Sequence, residues 1–231
     1  MSRIAVISEK RYMMKLVSIG LLFFYSILGW AQTAQEQMDS VKLRLDSIQS
    51  FEATIALHVD ISFITMPDKM AQATFQKGED MVITSDDFVL IPKRGLDLSF
   101  SELFKYPFLA IDRGEVTGNS NVVRSISILP SNNKANFSVA NLHVDAQNNR
   151  IIWAEINTKK DGTYILNLTY PDKGAILPTR LNVSFEMDRI RIPLNFAGSD
   201  VSIDRKKMRE TEQKTGTIVL NLEYTNIEKS Q

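Results

Sequence analysis

The 231-residue sequence contains no cysteine. Disulfides, thiol nucleophiles, cysteine zinc sites and iron–sulfur clusters are therefore excluded, and so is an acylated N-terminal cysteine as a membrane anchor. Histidine is scarce: His58 and His143 are the only two, which leaves little for metal or acid–base chemistry. No sign of charge dominates, since 27 basic residues meet 27 acidic ones. A globally basic surface for nucleic acid is thus absent, and only a local patch could serve. The sequence has no G-x-S-x-G, no H-E-x-x-H and no P-loop. An enzyme, a cofactor and a metal site are accordingly not expected.

What is present begins with an address. Residues 16–31 carry no charge and follow Lys10, Arg11 and Lys15, while Gly29 and Ala31 have a small-x-small spacing. Basic region, apolar region and small residues, in that order, form a secretory signal. The run falls short of the roughly 20 residues that span a bilayer. Cleavage after Ala31 is expected, with Met13 or Met14 as alternative starts. Removing Arg3, Lys10, Arg11, Lys15 and Glu9 from the 27 and 27 leaves 23 basic and 26 acidic residues, a net charge of −3. A purely electrostatic grip on anionic membranes is not favoured by that balance. The sequence predicts a periplasmic, unanchored protein with one domain over residues 32–231.

At 44% apolar and 23% charged, the chain has the composition of a folded core. Thr33-Ala-Gln-Glu36 has the form of a capping box. Met38, Val41, Leu45 and Ile48 follow at spacings of three and four, which predicts a helix to about residue 49. The period then changes. Phe51, Ala53, Ile55, Leu57, Val59, Ile61 and Phe63 alternate with mostly polar residues over 51–63, the pattern of a long strand with one dry face. Residues 66–69 read as a turn. Strands are expected at 71–77, 81–84 and 88–91, then a short helix through Leu103 and Phe104, stopped by Pro107.

From residue 122 the pattern is all strand: 122–129, 136–144, 150–158, 163–170, 179–187 and 217–225. Asp161-Gly162 is a strong hairpin signal. Pro193 demotes 190–196 to an edge or loop, and 200–215 reads as a solvated loop or frayed helix. Strand parity assigns the dry faces to Ala140, Leu142 and Val144; Ile152, Ala154 and Ile156; Leu166 and Leu168; Leu181, Val183 and Phe185; and Ile218, Leu220 and Leu222. The fold class is mainly β: one antiparallel sheet, an incomplete barrel with helices over its concave face. Such a concave face is either filled tightly by side chains or left as an aliphatic cavity suited to acyl chains, and the residues leave both open.

Arg44-Leu-Asp-Ser-Ile-Gln-Ser-Phe51-Glu-Ala53 resembles the start of LolA-type lipoprotein carriers, where a helix feeds the first long strand. Leu142-His-Val-Asp145, Ile151-Ile152 and Asp161-Gly162 look like that family's strand–turn–strand pattern. Met66-Pro-Asp-Lys-Met-Ala71 and Leu90-Ile-Pro-Lys-Arg-Gly95 look like its Bacteroidota branch. The resemblance implies an incomplete barrel with a helical lid, shielding the acyl chains of a lipoprotein or lipid between membranes. It implies an inner-membrane exporter and an outer-membrane acceptor as partners, with the carrier itself a monomer. A binding or sensor module on the same fold, recognising lipids or proteins, is the alternative.

With a cavity, the expected lining is Leu57, Val59, Ile61, Phe75, Leu90, Leu142, Ile156, Leu166, Leu168 and Val183. Family carriers end the second strand with a basic residue, usually Arg before Pro, that helps latch the lid. Lys77-Gly78 stands there in this chain, keeping the charge without the planar fork of donors. His58 and His143 fall on polar strand faces. The carboxylate pairs Glu79-Asp80 and Asp86-Asp87 read as solvated turn residues. Trp153, Tyr164 and Tyr170 fit cross-strand packing better than a ligand mouth.

Overall fold

The computed structural model describes residues 33–79, 81–85, 101–116, 122–187 and 200–230. The export signal expected at 1–31, the strand expected at 88–91 with Leu90, the carboxylates of Asp80, Asp86 and Asp87, and the stretch 190–196 lie outside the described residues.

The first helix, α1 (Ala34–Asp46), starts one residue after Thr33 and buries Ala34, Gln37, Met38 and Val41 on one side. Leu43, on the other, is 71% exposed. It ends three residues earlier than its apolar spacing predicts. Ile48, expected as the last residue of the helical stripe, instead opens β1 (Ile48–Asp60). The cause is a bulge. The register of β1 shifts between Ile48 and Ser50, so Ile48 and Phe51 both turn inward, at 3% and 1% exposure. An inward step of three imitates a helical step, and the sequence alone does not separate them.

The chain continues through β2 (Ile64–Thr65), β3 (Lys69–Gln76), β4 (Val82–Thr84), α2 (Ser101–Phe104), β5 (Phe108–Val116) and β6 (Val123–Pro130). There follow β7 (Phe137–Asp145), β8 (Arg150–Thr158), β9 (Thr163–Thr169), β10 (Arg180–Met187), β11 (Ser202–Ile203), α3 (Arg205–Glu210) and β12 (Lys214–Lys229). Ten of these strands form one antiparallel sheet in the order β4-β3-β1-β12-β10-β9-β8-β7-β6-β5, and β11 pairs with β2. The sheet is open: β4 and β5 are its two edges.

Helix α1 packs against β1, β8 and β5. β1 and β5 stand seven places apart in the sheet, about 34 Å if the sheet were flat. A helix of 13 residues is only about 20 Å long. The sheet must therefore curl around the helix, which makes it a half-barrel with α1 on the concave side.

Two glycines allow close approaches within the sheet. Gly162, in the β8–β9 hairpin, has φ +85°, and a Cβ there would lie 2.2 Å from the Glu186 carbonyl oxygen. Gly216 lies opposite Phe185, and its Cβ would fall 2.5 Å from Ile61 Cγ1 and 2.8 Å from Phe185 Cζ. Both side chains thus use space that only glycine leaves.

Candidate functional site

The pairing register aligns the inward side chains into rows that cross the strands. The central row takes one residue from each of seven adjacent strands: Val59, Ile218, Val183, Leu166, Ala154, Leu142 and Ile126. On one side of it run Leu57, Leu220, Leu181 and Leu168. On the other run Gly216, Phe185, Tyr164, Ile156, Ala140, Ile128 and Ala110. Ile61 lies over Gly216. Eight of the expected lining residues therefore share three neighbouring rows: Leu57 and Leu168; Val59, Leu142, Leu166 and Val183; Ile61 and Ile156. Phe75 sits apart, stacked on Phe51 at 5.1 Å, which meets Tyr224 edge-on at 5.2 Å. Leu90 lies outside the described residues.

One expected inward residue is corrected. Between His143/Val144 and Trp153/Ile151 the β7–β8 register slips by one, so Ile152 is the extra, bulged residue. Ile151 takes the inward place opposite Val144 and is 1% exposed. Ala154 and Ile156 keep their inward parity. Alternation with Ala154 sets Trp153 on the convex face, where it stacks on His143 at 4.4 Å. Burial there lowers the His143 pKa below the usual imidazole value.

Burial is graded along the concave face. Leu142, Ala154 and Ile126 are fully buried. Val59, Ile156, Met187 and Phe108, at the strand ends farthest from the α1–β1 corner, are half-buried. Side chains along the length of α1 hold it to the sheet. Gln35 Oε1 accepts from the Ala110 amide of edge strand β5 at 3.1 Å. Gln37 Nε2 donates to Asn149 Oδ1 in the β7–β8 turn at 2.6 Å. Arg44 Nη2 donates to the carbonyls of Gly174 and Ala175 in the β9–β10 loop at 2.9 and 3.0 Å. Lys77, exposed just beyond β3, donates from Nζ to the Asp46 carbonyl at 2.5 Å, the last residue of α1.

The carbonyls that receive Arg44 are themselves fixed. Asp172 Oδ1 accepts from the Gly174 and Ala175 amides at 2.7 and 2.8 Å. Arg150 donates to the Asp172 carbonyl at 2.6 Å and to buried Asp145 Oδ2 at 3.2 Å. Its guanidinium lies 4.5 Å over the Tyr170 ring, a cation–π contact. The Tyr170 hydroxyl donates to the Ile151 carbonyl at 2.8 Å, and burial raises the Tyr170 pKa above the usual phenol range.

Charges border the apolar rows. Lys69, opposite Leu57, is 5% exposed and pairs with Asp200. Arg124, on the Ile126 face of β6, pairs with Asp112 of β5. The Gly114 amide and then Arg124 hold the Asp112 carboxyl below its ordinary pKa. Sequence reasoning missed Lys69 because it began the strand at residue 71. The parity Lys69, Ala71, Ala73, Phe75 carries the signal. Arg44 was visible in the quoted motif, but its acceptors lie 130 and 131 residues away in the chain. Among the described residues, no group of three His, Cys, Asp or Glu could hold a metal ion.

No family model matches the chain, and no curated protein matches its sequence. Among solved structures, a LolA superfamily protein from Nitrosomonas europaea superposes with a TM-score of 0.51 at 12% identity, covering 87% of this chain and 95% of that one. The chain has a LolA-like fold. A domain assigned to outer-membrane lipoprotein sorting in Vibrio parahaemolyticus is looser, with a TM-score of 0.44 at 8% identity over 84% of this chain and 94% of that one. A DUF1329 family protein from Desulfovibrio piger follows at 0.40 and 10%, over 85% and 93%. At such identities the likeness fixes the LolA-like fold; what occupies its concave face is a separate question.

Proposed function

We propose that this protein is an exported periplasmic carrier that shields the acyl chains of a lipid or lipoprotein against its concave face. One observation carries the reading: an unbroken inward apolar row crosses seven strands, under a helix that meets the sheet through apolar contacts of Met38 and Val41 and a few side-chain hydrogen bonds. Burying an acyl chain is worth about 0.8 kcal/mol per methylene, so a free amphiphile with two chains does not leave a membrane unaided. A soluble carrier must offer comparable apolar area and must open to load it. The graded burial supports loading between α1 and the rows Leu57–Leu168 and Val59–Ile126, with Arg44 and Lys77 holding the closed state.

Native mass spectrometry of the exported protein, purified without detergent, tests this directly. Adducts with the mass of a diacyl lipid or an acylated peptide are expected. A bare protein that also takes up no lipid from phosphatidylethanolamine vesicles would sink the carrier reading and favour a packed module that binds protein.

A further inference from the structure

Lys69 occupies a position that its neighbours in β3 fill with apolar side chains. Ala71 and Ala73 share its inward face at 5% and 1% exposure. Lys69 itself is 5% exposed and stands opposite Leu57, at the end of the row Leu57–Leu220–Leu181–Leu168. An ammonium placed there is costly unless an anion faces it. The anion is Asp200, in the segment between β10 and β11, and its carboxylate is 45% exposed. The pair is thus asymmetric. The cation is committed to the interior by its strand, whereas the carboxylate is half in water and attached to a connecting segment. Stability alone does not call for such a pair, because apolar residues of similar volume commonly serve as well or better.

Asp200 can leave Lys69 at modest cost, since its carboxylate keeps much of its hydration in either place. Lys69 is less free to follow it, because its backbone is paired in β3 opposite Leu57 and its side chain is 5% exposed. Any anion that arrives along the apolar row meets a desolvated ammonium whose present partner is exchangeable. From this geometry we infer that Lys69 is the headgroup site of the concave face: it receives the single carboxylate or phosphate of an anionic amphiphile whose chain lies along the Leu57–Leu168 row, and Asp200 is the internal anion that it displaces. The inference rests on the carrier reading and adds the chemical class of the cargo. Lysine suits a single point-like oxyanion, with three donors and no demand for a planar bidentate partner.

The test is displacement of the neutral dye N-phenyl-1-naphthylamine from the exported protein at pH 7.5. The competitors are dodecanoate, dodecanol and acetate. Wild type should bind dodecanoate about tenfold more tightly than dodecanol, the scale of one charge-assisted hydrogen bond, and acetate should not compete. Lys69→Met should bring the two C12 probes within about twofold of each other while keeping dodecanol binding. Lys69→Arg should keep most of the preference. Asp200→Asn retains Lys69 and removes its competitor, so it should raise dodecanoate affinity, and it serves as the readout if Lys69→Met fails to fold. Equal binding of the two probes by wild type, or an unchanged preference in Lys69→Met, would overturn the headgroup assignment and leave the carrier reading standing. Dye displacement by acetate alone would also overturn it, in favour of a free-anion site. If neither C12 probe displaces the dye, the carrier reading falls and takes this inference with it.

Discussion

Replacing Arg44 with methionine keeps most of its stem and removes two charge-assisted donations, to the carbonyls of Gly174 and Ala175. Each such bond contributes about 1.5–3 kcal/mol when well buried. Here one acceptor is exposed and the other part-buried, so about 2 kcal/mol for the pair is the reasonable scale. The loop does not follow the loss, because Asp172 and Arg150 hold it independently. The penalty should therefore fall on α1 alone. Native-state hydrogen exchange reads this: amides around Met38 and Val41 should exchange about 30-fold faster, the equivalent of 2 kcal/mol, while those of Leu142 and Leu166 keep their rates. Lys77→Met removes one bond to one carbonyl at an exposed helix end, worth about 0.5 kcal/mol, and should change α1 exchange by only two- to threefold. Unchanged α1 exchange in Arg44→Met would refute the latch. An equal acceleration in helix and sheet would refute the idea that α1 opens as a separate unit.

Three further expectations follow from the same geometry. Gly216→Ala places a methyl 2.5 Å from Ile61 and 2.8 Å from Phe185, so a loss of about 1–3 kcal/mol in urea unfolding is expected; a neutral result would mean that both side chains relax freely. Tyr170→Phe strips the hydroxyl from the Ile151 carbonyl and should cost about 1 kcal/mol, whereas a retained melting temperature would make that bond incidental. His143 has a pKa lowered by burial, so the unfolded chain takes up its proton first as pH falls. Its contribution is absent above the unfolded value of about 6.5, and it destabilises the fold increasingly below it. His143→Asn should flatten the fall of melting temperature between about pH 6.5 and 5; an identical slope in the variant would count against this assignment.

The strands were legible where alternation was long and the backbone regular. β1, β9, β10 and β12 show the expected inward residues because no bulge interrupts their middle registers. Helical spacing failed at Ile48 and strand parity at Ile152, and both failures are bulges, where one extra residue reverses the faces without altering composition. β5 was missed for another reason. It is an edge strand whose outward Leu109 and Ile111 are 58% and 42% exposed and whose second half carries Asp112, Arg113 and Glu115, so no clean alternation marks it. Of the site, the apolar rows could be read from the residues, since each strand encodes its own face. The contacts that hold α1 could not. Gln37 meets Asn149 across 112 residues and Arg44 meets Ala175 across 131, and no local pattern records who faces whom after the sheet has curled.

That difference between ladder and tether bears on which part moves. The sheet is held by backbone pairing along nine interfaces, and opening a central one would strand amides and carbonyls in an apolar interior. α1 makes its own backbone bonds and meets the sheet through apolar contacts and a few side-chain bonds. With 13 residues it lies at the length where an isolated helix is marginal in water, so detachment and partial unwinding are close in energy. Release of α1 at the Arg44 end would expose Met38, Val41 and the inward rows together, while Gln35 on Ala110 could keep the far end seated. An acyl chain entering between helix and sheet would then replace the contacts that α1 gives up. If the proposed carrier function holds, the cost of detaching α1 subtracts from the free energy of loading, and weakening the Arg44 tether would raise cargo affinity without any change to the apolar rows.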